Sequence, residues 1–80
     1  MNNVEKMREV IERITDTYNV LGIYWTPEER SKDIFKHDYI IQFISKKHDG
    51  RNVIAGYKSA KDMIKKLEQI KNYEEIWELK

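Results

Sequence analysis

Any chemistry in this 80-residue chain would have to come from two histidines, three serines and 14 carboxylates, because cysteine is absent. His37 and His48 lie about 35 Å apart if the stretch between them is extended, too far to share a metal. A zinc site needs about four ligands at suitable spacing, and this inventory does not supply them. No metal and no cofactor is therefore expected. His37 and Asp38 are adjacent, and neighbouring side chains on a strand point to opposite faces. They do not make a base with its orienting acid. Of Ser31, Ser45 and Ser59, the last already has a role as a helix cap. Gly22, Gly50 and Gly56 are too scattered to cradle a phosphate. No catalytic residue is assigned, and a non-enzymatic protein is expected.

Gly22-Ile23-Tyr24 and Tyr39-Ile40-Ile41 resemble the two short strands that name the GIY-YIG nuclease family. That resemblance covers some six residues. The gap between the motifs is longer than that family's, Ile41 stands where its glycine belongs, and the arginine and glutamate that the family carries on a helix have no assigned counterpart here. The chain is not assigned to the family.

The elements that must position any site are readable from hydrophobic period. Val4, Met7, Ile11, Ile14 and Tyr18, with Val10 beside them, follow the stripe of one helix face and predict a helix over about 3–18. Asn2 and Glu5 have the spacing of a capping pair at its start. Val20 to Trp25, interrupted by Gly22, reads as a brief strand or a buried connector. Thr26-Pro27-Glu28-Glu29 then carries a helix-start signature, with only Ile34 and Phe35 left to bury. That segment is a turn or two of helix, or a loop.

Tyr39, Ile40, Ile41, Phe43 and Ile44 are β-branched or aromatic and predict a strand. Asp49-Gly50 is a pair favoured in two-residue hairpin turns, and Val53, Ile54 and Ala55 supply the return, giving a hairpin over 39–57. A two-residue turn sets Ser45 opposite Ile54, Ile44 opposite Ala55 and Phe43 opposite Gly56. One face would then carry Tyr39, Ile41, Phe43 and Ile54, and the other Ile40, Ile44, Val53, Ala55 and Tyr57. Both faces are substantially apolar, so either helices cover both or one is meant for a partner.

Ser59-Ala60-Lys61-Asp62 opens a second helix over about 59–71, with Ala60, Met63, Ile64, Leu67 and Ile70 along one side. Beyond it, Asn72 caps that helix and residues 75–79 form a closing strand, although Tyr73 and Trp77 would also continue the helical stripe. The fold class is α+β: a small antiparallel sheet packed with two amphipathic helices.

Apolar residues make up 40% of the chain, and 15 basic groups nearly balance 14 acidic ones, which suits one folded domain over 1–80. No apolar run reaches the ~18 residues a membrane span needs. The polar, acidic N-terminus lacks a signal-peptide core. A cytoplasmic location follows as the expectation, in the host cytoplasm if the chain is phage-encoded.

Charge is unevenly spread. Residues 46–71 hold eight basic groups against Asp49, Asp62 and Glu68, a local net of +5, while 1–35 and 72–80 are each net −2. Lys46, Lys47, Arg51, Lys58, Lys61, Lys65 and Lys66 could grip nucleic-acid phosphates without reading bases. Nine aromatic residues are more than a thin core absorbs, and tyrosine and tryptophan suit protein-binding hot spots. Trp25, Tyr57, Tyr73 and Trp77 are the candidates. The favoured expectation is a protein-binding module, a small regulator or inhibitor in the style of phage and mobile-element proteins, acting on another protein or on a second copy. The alternative is a sequence-tolerant nucleic-acid binder.

Overall fold

The computed structural model describes residues 3–26 and 39–79. Their order is α1 (Asn3–Tyr18), β1 (Val20–Trp25), β2 (Tyr39–Ser45), β3 (Asn52–Tyr57), α2 (Ala60–Glu68) and α3 (Tyr73–Ile76). The strands form one antiparallel sheet in the order β1-β2-β3, so β2 is central. The α+β class expected from the sequence is the observed one. Asn2 and the segment 27–38, with its helix-start signature, Ser31 and His37, lie outside the described residues.

Each helix forms for the reason its stripe suggests. α1 buries Met7, Val10, Ile11 and Ile14, and α2 buries Ala60, Met63, Ile64 and Leu67. α1 ends where Asn19 takes φ 54°, a left-handed conformation that asparagine tolerates better than most residues. The chain thereby reverses at once into β1. Ser59 caps α2 by accepting the Asp62 N–H at 3.1 Å. The two helices pack against each other, α1 also against β1 and α2 against β3.

One face of the sheet meets them. Its rows run Gly22–Phe43–Val53 and Tyr24–Ile41–Ala55, with Tyr39 opposite Tyr57 beyond. Phe43 and Ile41 are fully buried there. Gly22 lets α1 lie close: a Cβ at this position would stand 3.0 Å from Thr15 Cγ2, 3.2 Å from Ile11 Cγ2 and 3.3 Å from Phe43 Cε1. The inner seam also holds a polar bond, Arg8 Nε donating to the Tyr24 hydroxyl at 2.8 Å.

Two expectations need correction. The hairpin does not close with a two-residue turn. Ser45 N–H donates to Arg51 O at 2.9 Å across a wider loop, and only Gly50, at φ 69°, is left-handed. Asp49 instead accepts the Arg51 N–H on its carboxylate at 3.2 Å. Phe43 therefore faces Val53 where Gly56 was expected, and Ala55 faces Ile41 where Ile44 was expected. This is an odd shift, so it exchanges the faces of β3. Val53, Ala55 and Tyr57 join Tyr39, Ile41 and Phe43 on the inner side, and Ile54 turns outward.

Nor is there a closing strand at 75–79. α2 ends with Gln69 as its cap, and Asn72 starts a new helix instead of finishing the old one. Its side chain accepts the Glu75 N–H at 3.1 Å, while Glu75 Oε1 accepts the Lys71 N–H at 2.7 Å. These two side-chain caps at adjacent N–H groups commit the segment to a helical turn, in which Ile76 is completely buried.

Candidate functional site

The outer face of the sheet is built by the other half of each strand. Its rows are Leu21–Ile44–Asn52, Ile23–Gln42–Ile54 and Trp25–Ile40–Gly56. None of these nine residues is charged. Neither α1 nor α2 packs here, and none of the nine belongs to the main core cluster. Ile40 is buried at one end, Ile23, Trp25 and Ile44 are half-buried, and Leu21 and Ile54 remain 45% and 47% exposed. The exposed pair sits on β1 and β3, the strands that flank the centre.

The four aromatic candidates do not share a surface. Trp25 belongs to the outer face. Tyr57 is on the inner side, 8% exposed, and is a core residue. Tyr73 and Trp77 are half-buried against the core around α3, ring centroids 5.5 Å apart and edge to face. Sequence reading missed Leu21, Ile23 and Ile44 as surface partners of Trp25, and it put Ile54 beside Phe43. The correct register is the signal that would have found them.

A polar cluster ties the hairpin loop to α3. The Tyr73 hydroxyl donates to Asp49 Oδ2 at 2.7 Å, so at 2.7 Å from Ser45 Oγ it accepts the serine's proton. Arg51 pairs with Glu74 and lies 3.9 Å from Asp49. Lys47 Nζ sits 4.0 Å over the Tyr73 ring. The Tyr73 hydrogen bond holds Asp49 down at about 2, from an ordinary 3.8, with Ser45 and Arg51 adding to the effect against desolvation. Desolvation moves the Tyr73 phenol up, and Asp49 adds to it. The acid stays a carboxylate and the phenol stays protonated at neutral pH, so the cluster is a latch without a base poised for proton transfer.

The sign of its pH dependence follows. A depressed carboxylate stabilises the fold above its unfolded value and ceases to do so as pH falls through its folded one. Wild type should melt above Asp49→Asn at neutral pH. That gap should close between pH 4 and 2, the interval set by the 3.8 and about 2 values. Melting curves of both proteins over that range check it. A gap independent of pH would mean that Asp49 acts by shape alone.

The basic candidates divide. Lys46, Lys47 and Arg51 stand at the hairpin loop, and Arg51 is already paired with Glu74. Lys58, Lys61, Lys65 and Lys66 are exposed beyond the other end of β3 or along α2. The six residues of β3 put roughly 20 Å between Arg51 and Lys58. Lys6 of α1, absent from the expected set, joins Lys61 and Lys65 around a hollow of about 390 Å³ that also contacts Asn3, Ile64 and Glu68. The acidic C-terminal stretch is not held apart, since Glu75 and Glu78 share a smaller hollow with Lys66. The basic stretch is thus two patches, each interleaved with acids.

Among the described residues no three His, Asp or Glu side chains group as metal ligands, and no helix is long and apolar enough to cross a membrane. Compared with known protein families, curated proteins and solved structures, the chain matches none.

Proposed function

We propose that this chain is a protein-binding module, a small regulator or inhibitor, that docks an uncharged apolar patch of another protein on the outer face of its sheet. The supporting observation is the open part of that face: no charged position, Leu21 and Ile54 about half exposed, and Ile23, Ile44 and Trp25 half-buried beside them, with Ile40 alone already covered. Contiguous apolar surface of this kind marks association sites, and a tryptophan beside it suits an anchor. A charged partner surface would lose hydration here with nothing to pair against.

Size argues for a different protein over a second copy. Three strands of about six residues present roughly 300 Å². A stable interface takes about 800 Å² from each side. Two copies stacked flat fall short, whereas a partner that extends past β1 or β3 can reach that area.

The test compares Leu21→Lys/Ile54→Lys with a control on the opposite side of the molecule, Lys61→Gln/Lys65→Gln. Proteins captured from lysate by wild type should be lost by the first variant and kept by the second, with both variants as stable as wild type. Equal capture by all three would end the proposal. Capture abolished by nuclease would turn it over to nucleic acid. Concentration-dependent sedimentation of the pure protein, removed by the Leu21/Ile54 variant, would replace the partner with a second copy.

A further inference from the structure

The outer edge of β3 is open along its length. Ser45 donates to Arg51, directly opposite, and that bond fixes the alternation between the two strands. Val53, Ala55 and Tyr57 turn their backbone groups toward β2, and Asn52, Ile54 and Gly56 turn theirs away. Each of these three presents an N–H and a C=O, and among the described residues nothing bonds to them. Edges of this kind are normally guarded by a charge, a proline or a bulge. β3 contains no charged residue and no proline, and its register with β2 runs unbroken from Asn52 to Tyr57. The edge is a bare template for another strand.

The two sides of such a strand would meet different surroundings. On one side it would continue the outer face beside Ile54, about 4.8 Å further on. On the other it would lie beneath α2, which packs over β3. Lys61, Ile64, Lys65 and Glu68 share a hollow with Asn3 and Lys6 of α1. Asp62, Lys66 and Gln69 therefore form the flank of α2 turned from α1. With Lys65 and Tyr57 they border a hollow of about 440 Å³ at the end of β3. Its two lysines outweigh the one aspartate.

We infer that β3 takes up an extended segment of the partner protein as a fourth strand, apolar toward the outer face and acidic toward α2. This rests on the reading of the chain as a protein-binding module and names the part of the partner that it grips. Main-chain hydrogen bonds supply the hold, and alternate side chains supply the choice. Residues opposite Asn52, Ile54 and Gly56 share the uncharged outer face. Those opposite Val53, Ala55 and Tyr57 point under α2, toward Lys65 and Lys66. Charges at such a rim act on selection more than on hold, so neutralising Lys65 leaves capture standing. A second copy fits this edge poorly. Two β3 strands joined about a two-fold axis keep both α2 helices on one side of the sheet, lysine flank against lysine flank.

The experiment titrates the intact chain with an end-blocked heptapeptide alternating valine and glutamate, and follows amide hydrogen exchange by NMR. Exchange at Asn52, Ile54 and Gly56 should slow by about tenfold or more at saturation. A peptide with lysine for glutamate should bind about tenfold more weakly, and Lys65→Glu/Lys66→Glu should reverse that order. Ile54→Pro removes an N–H that the ladder with β2 does not use, so it should abolish binding with the fold intact. Ile54→Ala keeps that N–H and should still bind. Absence of protection at these three amides with millimolar peptide would overturn the inference. So would protection at Val20, Gly22 and Tyr24 of β1 in their place, or protection that rises with protein concentration and needs no peptide. Leu21→Lys, on the far strand of the outer face, separates the two readings: it should cost lysate capture and leave the peptide bound. Capture lost without any amide protection removes the fourth strand and keeps the outer face. Protection with capture indifferent to Leu21→Lys keeps the strand and removes the face.

Discussion

Phe43→Ala should cost the fold about 3–5 kcal/mol, the largest loss expected of any single truncation among the described residues. Among the described residues Phe43 is the largest fully buried side chain, on the inner face of the central strand, between Gly22 and Val53. Truncating such a ring removes its transfer free energy and leaves a cavity that neighbours only partly fill, about 3–5 kcal/mol in all. A domain of this length holds roughly 4–12 kcal/mol in total, so the loss is a third or more of its stability. Urea denaturation followed by circular dichroism measures it. Ile44→Ala, one residue along on the outer face, is the control and should cost less than about 1.5 kcal/mol, since Ile44 is only half-buried. Similar costs for the two would mean that the faces have been assigned the wrong way round.

Gly22→Val should be nearly as severe, and Gly22→Ala intermediate. The first added carbon already meets two β-branched side chains of α1 at 3.0 and 3.2 Å. Those residues are stiff in a helix, so the contact is relieved only by lifting α1 from β1. Overpacking of this kind costs about 1–3 kcal/mol for a methyl and more for an isopropyl group. The cause can be isolated. Thr15→Ser removes the nearest methyl, so Gly22→Ala should be milder in that background by about 0.5 kcal/mol or more. Additive costs in the double-mutant cycle would assign the damage to backbone freedom and acquit the packing.

Much of the fold could be read in advance because it is written locally. The stripes of α1 and α2 repeat over several turns, and Ser59 announces its helix by itself. β2 is legible from Tyr39 to Ile44, since nothing helical fits those residues. The errors cluster where a distant residue decides. Asp49-Gly50 looks like a two-residue turn until Tyr73, 24 positions on, takes the Asp49 carboxylate into the latch. The wider loop then moves the register by an odd number, and with it the identity of both faces. Residues 75–79 have strand-forming side chains, but Asn72 takes the Glu75 N–H, Glu75 takes the Lys71 N–H, and these caps prevail.

The candidate site suffered from the same slip. Trp25 was visible as an aromatic beside a glycine-broken strand. Its neighbours Leu21, Ile23, Ile44 and Ile54 come together only across three strands, and Ile54 could not be placed until the register was. Tyr57 looks like a surface aromatic in the sequence, and only the register places it in the core.

The contact of α1 with α2 bears on when this chain can fold. Part of the apolar stripe of α1 is covered by α2, whose residues lie some 50 positions later. At about 5–20 residues per second, synthesis leaves that part bare for several seconds. Until α2 has been made, the side of α1 that faces it stays open, so α1 and β1 cannot complete their packing on their own.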